Sequence, residues 1–222
     1  AGGPGLSAYL SGSATTPVRR DTTFEAGGFR VLTETDERGG LLVVASPLDD
    51  VVRLDGLRVV VLDSSVPGKA YGELSDEQLD WLRAELAEPA PAGTVLALHH
   101  PPLPSPLPLA AAIELQDRSR LAGALARSDV RMVLAGHVHL VSAGSIAGIP
   151  VWTGGALAST MDALPPPRTF RIVRQPTVTR IDVFADGVIA AAVPVEADTI
   201  AETDPERAAA TIAALRSELP TR

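Results

Sequence analysis

The chain has 222 residues, of which 45% are hydrophobic and 21% charged, enough for one well-buried domain of ordinary soluble composition. Its net charge of −8, with 19 basic residues against 27 acidic and no basic stripe interleaved with aromatics, argues against a nucleic-acid partner. No apolar run approaches the roughly 20 residues needed to span a bilayer. The lack of cysteine excludes disulfides and thiolate metal sites and agrees with a cytoplasmic location.

In chain order, residues 1–28 are rich in Gly, Ser and Thr and read as a flexible lead-in. The first residues carry neither a basic n-region nor a solid apolar h-region, so they do not read as a signal peptide. Beginning at Ala1 rather than methionine, the chain is expected to be processed, trimmed or a fragment. Phe29 to Thr33 and Leu41 to Ala45 are short strand candidates around the charged turn Asp36-Glu37-Arg38-Gly39-Gly40. Asp55-Gly56, between Val51–Leu54 and Leu57–Leu62, predicts a hairpin, because that dipeptide accepts the positive φ values of a tight turn. The second arm is expected to be an apolar strand covered on both faces.

Ser75 with Gln78 three residues on predicts a helix start by capping box, and Asp76 and Glu77 favour the dipole. Leu79, Leu82 and Leu86 recur at helical spacing until Pro89 and Pro91 stop the helix. Thr94 to Leu98 is then a strand, followed by the stiff loop Pro101-Pro102-Leu103-Pro104-Ser105-Pro106. A second helix is expected over roughly 117–127 with Leu121 and Leu125 inward, then a strand over Val130 to Ala135. This alternation implies an α/β sheet with helices packed on it.

Beyond His139 the pattern is β, with strands expected over Leu140–Ile146, Ile149–Thr153, Phe170–Val173, Val178–Phe184 and Val188–Val195. The tail reads as a helix capped by Asp204 with Pro205 at its first position, a docking or oligomer contact. The chain therefore divides into a lead-in (1–28), one domain (29–200) and a C-terminal helical segment (201–222).

All four histidines sit where two apolar strands run out. His99 and His100 follow Val95-Leu96-Ala97-Leu98, and His137 and His139 follow Val130-Arg131-Met132-Val133-Leu134-Ala135 and Gly136. Neutral imidazole is the commonest protein donor to transition metals. Ligand sites in open α/β sheets lie at the carboxyl ends of strands, so the pairs are expected to meet in one crevice. Gly136 is expected to let the chain turn, and strand-like alternation would send His137 and His139 the same way, toward one metal or two adjacent ones. Hydrogen-bonded, inert turn residues would explain one such pair, and two pairs at two strand ends favour ligation. His99 is the better ligand of the first pair, with His100 meeting substrate or packing against Pro102.

Ala97-Leu98-His99-His100-Pro101-Pro102 and Leu134-Ala135-Gly136-His137-Val138-His139 resemble the last two motifs of calcineurin-like metallophosphoesterases. The stretch from Asp55 to Gly68, the segments Gly72-Glu73-Leu74 and Gln78-Leu79-Asp80-Trp81-Leu82, and Gly148-Ile149-Pro150-Val151 are similar to bacterial class III cyclic-nucleotide phosphodiesterases. The resemblance covers about residues 47 to 195. It implies a partial αββα sandwich, with mixed sheets and flanking helices, whose N-terminal βαβ portion is missing or replaced. It also implies a hydrolase of small phosphodiesters or cyclic nucleotides, acting through a hydroxide bound to divalent Mn, Fe or Zn. In the intact family two ions are bridged by an aspartate. By position His99 and His137 would bind one ion and His139 the other, with His100 toward substrate.

The chain departs from that family in its first half. No Asp-x-His or Gly-Asn-His-Asp motif is present, no histidine precedes His99, and the chain has no asparagine. The nearest match is Leu32-Thr33-Glu34-Thr35-Asp36-Glu37-Arg38, where Asp36 falls on the acidic position. Asp21, Glu25 and Glu34 are carboxylates there that could coordinate a metal. Binding of one ion or none, impaired turnover, and self-association through an uncovered sheet edge are the expectations for this chain.

Overall fold

A computed structural model describes residues 22–26, 29–35, 41–47, 49–195, 197–198 and 201–217. Within the segment expected as a lead-in, Thr22–Ala26 is a strand (β1), paired antiparallel to Phe29–Thr35 (β2), which pairs in turn with Leu41–Pro47 (β3). Asp21, Asp36 and the charged turn at 36–40 lie outside the described residues.

The site-bearing core is a six-stranded mixed sheet. Its strands are Asp50–Leu54 (β4), Leu57–Leu62 (β5), Thr94–Leu98 (β6), Val130–Ala135 (β7), Ser142–Ile146 (β8) and Ile149–Thr153 (β9), in the order β4-β5-β6-β7-β9-β8. The strands β5, β6, β7 and β9 are parallel neighbours, and antiparallel hairpin arms close both edges. Both hairpin turns have two positive φ values, at Asp55 and Gly56 (47° and 88°) and at Ala147 and Gly148 (51° and 81°). That turn carries the right-handed twist of the strands it joins.

The connection from β5 to β6 runs through helix Asp76–Glu85 (α1). Ser75 and Gln78 form the expected reciprocal capping box there. From β6 to β7 the chain forms a short helix, Pro108–Ala112 (α2), and then Arg118–Leu125 (α3). The first was not foreseen. Pro108 falls in its first turn, where a missing N–H does no harm. The second begins after Asp117, whose left-handed backbone (φ 49°) takes it out of any capping role.

Leu79 and Leu82 of α1 and Leu121 and Leu125 of α3 meet Val60, Leu62, Leu96, Val133 and Val151 of the sheet in one core. Each fully buried Leu or Val contributes about 1.5–3 kcal/mol relative to exposure. The β5 arm differs from expectation, since only Arg58, Val60 and Leu62 are buried and the alternate residues are half-covered. Nor is that arm apolar throughout. Arg58 is only 5% exposed, bonding Thr94 Oγ1 (2.9 Å), Asp129 Oδ1 (2.8 Å) and the carbonyls of Glu85 and Glu88.

The later strands are shorter than the sequence suggests. Thr160–Met161 (β10) pairs with Ile172–Val173 (β11), and Phe170 lies outside any strand and exposed. Thr177–Val183 (β12) and Val188–Pro194 (β13) form an antiparallel pair. It is tied to the large sheet where Trp152 Nε1–H donates to Thr179 Oγ1 (3.1 Å) and Arg131 donates to the carbonyls of Phe184 (2.6 Å) and Gly187 (3.0 Å). Helix Pro205–Ser217 (α4) follows, with Asp204 accepting from Arg207 N–H as its cap and with Ile212 and Leu215 exposed. Leu219 lies outside the described residues, as do parts of 1–28.

Candidate metal centre

Parallel pairing of β6 and β7 puts their carboxyl ends side by side. Ala97 lies opposite Leu134, and Gly136 N–H donates to the His99 carbonyl at 3.0 Å. Both histidine pairs therefore emerge at one place, as the strand-end rule requires. The chain after Ala135 is no longer strand. His137 and His139 both take left-handed backbone (φ 62° and 54°), while Gly136 has no positive φ and open space where a Cβ would stand. The turn expected of the glycine is thus made by the histidines themselves, which ends the alternation that would have aimed both rings alike.

Three of the four rings come together. His99, His100 and His137 place one ring nitrogen each within 4.8 Å of one another, and their ring centroids lie 4.3 to 4.9 Å apart. His137 Nδ1 is 2.8 Å from His99 Nε2, and His137 Nε2 is 2.8 Å from the Ala70 carbonyl. A carbonyl only accepts, so His137 carries its proton on Nε2 and leaves Nδ1 as a lone pair. His139 stands apart, with Nδ1 3.4 Å from Ser159 Oγ.

His100 is the most enclosed, at 3% exposure. Its Nδ1 is 2.9 Å from Ser64 Oγ, which also accepts the His100 backbone N–H at 3.1 Å. Gly72 lies against the other side of the ring, where a Cβ would come within 2.4 Å of Cγ and Nδ1. Ser64, Ala70 and Gly72 were not foreseen as part of the site. They follow the carboxyl end of β5, and the same strand-end rule applied to that strand would have pointed to their loop.

The electrostatics favour neutral imidazole. Desolvation lowers the affinity of His99, His100 and His137 for a proton, although His99 is exposed, and neighbouring rings lower it further for all three, His139 acting on both His99 and His137. For His100 the value falls to about 4. Asp63 works the other way on His99. Neutral imidazole is the metal-ligating form.

The donor set fits one divalent ion. Nitrogens bound at about 2.0–2.1 Å to one tetrahedral ion stand about 3.4 Å apart, between the 2.8 Å of the closest pair and the 4.8 Å that bounds the group. No second group of three His, Asp or Glu donors occurs among the described residues.

Comparison with known proteins bears on the chemistry. The chain is 60% identical over 116 residues to a probable cyclic nucleotide phosphodiesterase of Rhodococcus erythropolis, a match that covers 52% of this chain and 38% of that protein. The matched segment is homologous to cyclic nucleotide phosphodiesterases. A cAMP/cGMP dual specificity phosphodiesterase of Mycobacterium tuberculosis is 51% identical over 117 residues, covering 53% of the chain and 37% of its own length. The 3',5'-cyclic adenosine monophosphate phosphodiesterase of Escherichia coli K12 is 37% identical over 95 residues, covering 42% and 34%. The chain thus spans well under half the length of these relatives. No family model matches. Among solved structures, the purple acid phosphatase of yellow lupin has a TM-score of 0.46 at 12% identity, covering 66% of this chain and 30% of that one, a likeness too slight to carry an argument.

Proposed function

We propose that this chain carries half of the active centre of a metal-dependent phosphodiesterase acting on a small phosphodiester of the cyclic-nucleotide kind. In that reading the domain spans residues 29–200. His99 and His137 hold one ion, His139 faces a second, and His100 lies toward the substrate. The observation that carries it is the convergence of His99, His100 and His137 at two adjoining strand ends, in a segment homologous to phosphodiesterases. A divalent ion bound there (Mn, Fe or Zn) supplies Lewis acidity toward a phosphoryl oxygen and lowers the pKa of water. The chain's own contribution is to keep the imidazoles neutral by burial, to fix His137 through Ala70, and to fix His100 through Ser64.

A second reading, a phosphoesterase-like module that binds a metal or nucleotide without turnover, is favoured by one feature. The chain has no asparagine and no histidine before His99 to supply the opposite half of a two-ion centre. Among the described residues no helix is long and apolar enough to cross a membrane. Hydrolysis of a nitrophenyl phosphodiester and of cyclic AMP with added Mn²⁺ separates the readings. The expected rate is at least about a hundredfold below that of an intact two-ion enzyme, the scale of losing one key donor group. Full turnover would refute the impairment, and no turnover at all would leave the binding module.

A further inference from the structure

We infer that the cavity between the two histidine-bearing loops receives the base of a nucleotide whose phosphate lies at the histidines. This rests on the phosphodiesterase reading above and names the part of the substrate that the reading leaves open. The cavity has a volume of about 250 Å³. One wall is the stiff loop, through Pro101, Leu103, Pro104 and Pro106, and the other is the chain after β7, through Val138 and Leu140. Both walls begin at the site, since Pro101 directly follows His100 and Val138 stands between His137 and His139. No charged side chain lines the cavity, and its polar side chains are the hydroxyls of Ser105, Ser142 and Thr153. That lining suits a neutral ring and not a phosphate. Sites that enclose a whole drug-sized ligand run from about 300 to 1,000 Å³, so this one takes a single ring system and not an entire nucleotide.

Thr153 supplies a second, independent observation. It is 1% exposed, and its Oγ1 is buried without a hydrogen-bond partner among the described residues. Thr153 pairs with Ser142 and Val151 with Gly144, which puts all four on one face of the sheet. On that face Leu103 comes within 3.0 Å of where a Gly144 Cβ would stand. The Thr153 side chain is therefore on the cavity side, beneath the stiff loop. A buried polar group without a partner is rare and costly. A hydroxyl both donates and accepts, so a ring nitrogen or exocyclic group of either purine would satisfy it.

Calorimetry and saturation-transfer NMR on the full chain, with Mn²⁺ present, test this with AMP, adenosine and ribose 5-phosphate. AMP is expected to bind at least about tenfold more tightly than ribose 5-phosphate, the difference being the buried ring. Ser142→Phe fills the cavity from the strand beside Thr153. It should bring AMP down to the affinity of ribose 5-phosphate and leave ribose 5-phosphate itself unchanged, which also shows that the variant is folded. Thr153→Val keeps the shape and removes the hydroxyl, so AMP should weaken about two- to tenfold, while the ligand-free chain melts no lower. AMP binding no tighter than that of ribose 5-phosphate, or full AMP affinity in both variants, would overturn the inference and leave the phosphodiesterase reading intact. Adenosine binding that is lost in Ser142→Phe, with no binding of ribose 5-phosphate, would keep the base site and overturn that reading. No binding of any of the three would overturn both.

Discussion

Burial, followed by the neighbouring rings of His137 and His99, pushes the His100 imidazole down to about 4. His99 and His137 are lowered in the same direction, burial again coming first. The unfolded chain protonates these rings near the ordinary value of 6.5, so between that value and about 4 it binds a proton that folded His100 refuses, and His99 and His137 act in the same direction just below 6.5. Stability from this cluster is therefore fully present above pH 6.5 and is lost as the pH falls through that window. Urea melts with chelator present should show a lower midpoint at pH 5 than at pH 7.5, and the difference should shrink in His100→Gln. A midpoint that rose on acidification would show the rings to be paired with carboxylates instead.

At the scale of elements, the site depends on alignment that is set at the opposite end of the strands. Arg58 at the start of β5 is clamped by Asp129, just before β7, and by Thr94 at the start of β6. Asp129 in turn accepts from Thr94 Oγ1 (2.9 Å) and Ala90 N–H (2.7 Å). One buried ion pair thus joins the amino ends of three parallel strands, and their carboxyl ends carry Ser64, His99 and Gly136. Asp129→Ala would leave a guanidinium buried without its counter-charge and is expected to destabilise the fold by about 3–5 kcal/mol. An apolar pair in place of Arg58 and Asp129 should recover most of that. Denaturant midpoints of the single and double variants check it, and a loss under about 1 kcal/mol would mean the pair is hydrated, as exposed ion pairs are.

Across the whole molecule, the β12–β13 pair presents Val178, Ile189 and Val193 on one exposed face. Neither strand has a further neighbour among the described residues. Open strand edges with apolar faces favour association, and the net charge of −8 opposes it at low salt. Sedimentation should therefore show concentration-dependent self-association that strengthens with salt and weakens in Ile189→Lys. A monomer at all salt concentrations would count against it.

What the sequence determined alone was local. The Ser75–Gln78 capping box, the Asp55-Gly56 hairpin and the apolar strands ending in histidine each depend on bonds within a few residues, so their patterns survive without the fold. The tertiary structure decided which histidines meet. His100 joins His99 and His137 because β5, β6 and β7 are consecutive parallel neighbours, and because the Ser64–Gly72 loop returns across their ends to supply Ser64 and the Ala70 carbonyl. His139 falls away because two left-handed residues replace the alternation that its spacing suggested. Strand order, loop return and the burial of Arg58 come from packing between residues dozens of positions apart, and no short stretch of sequence encodes that.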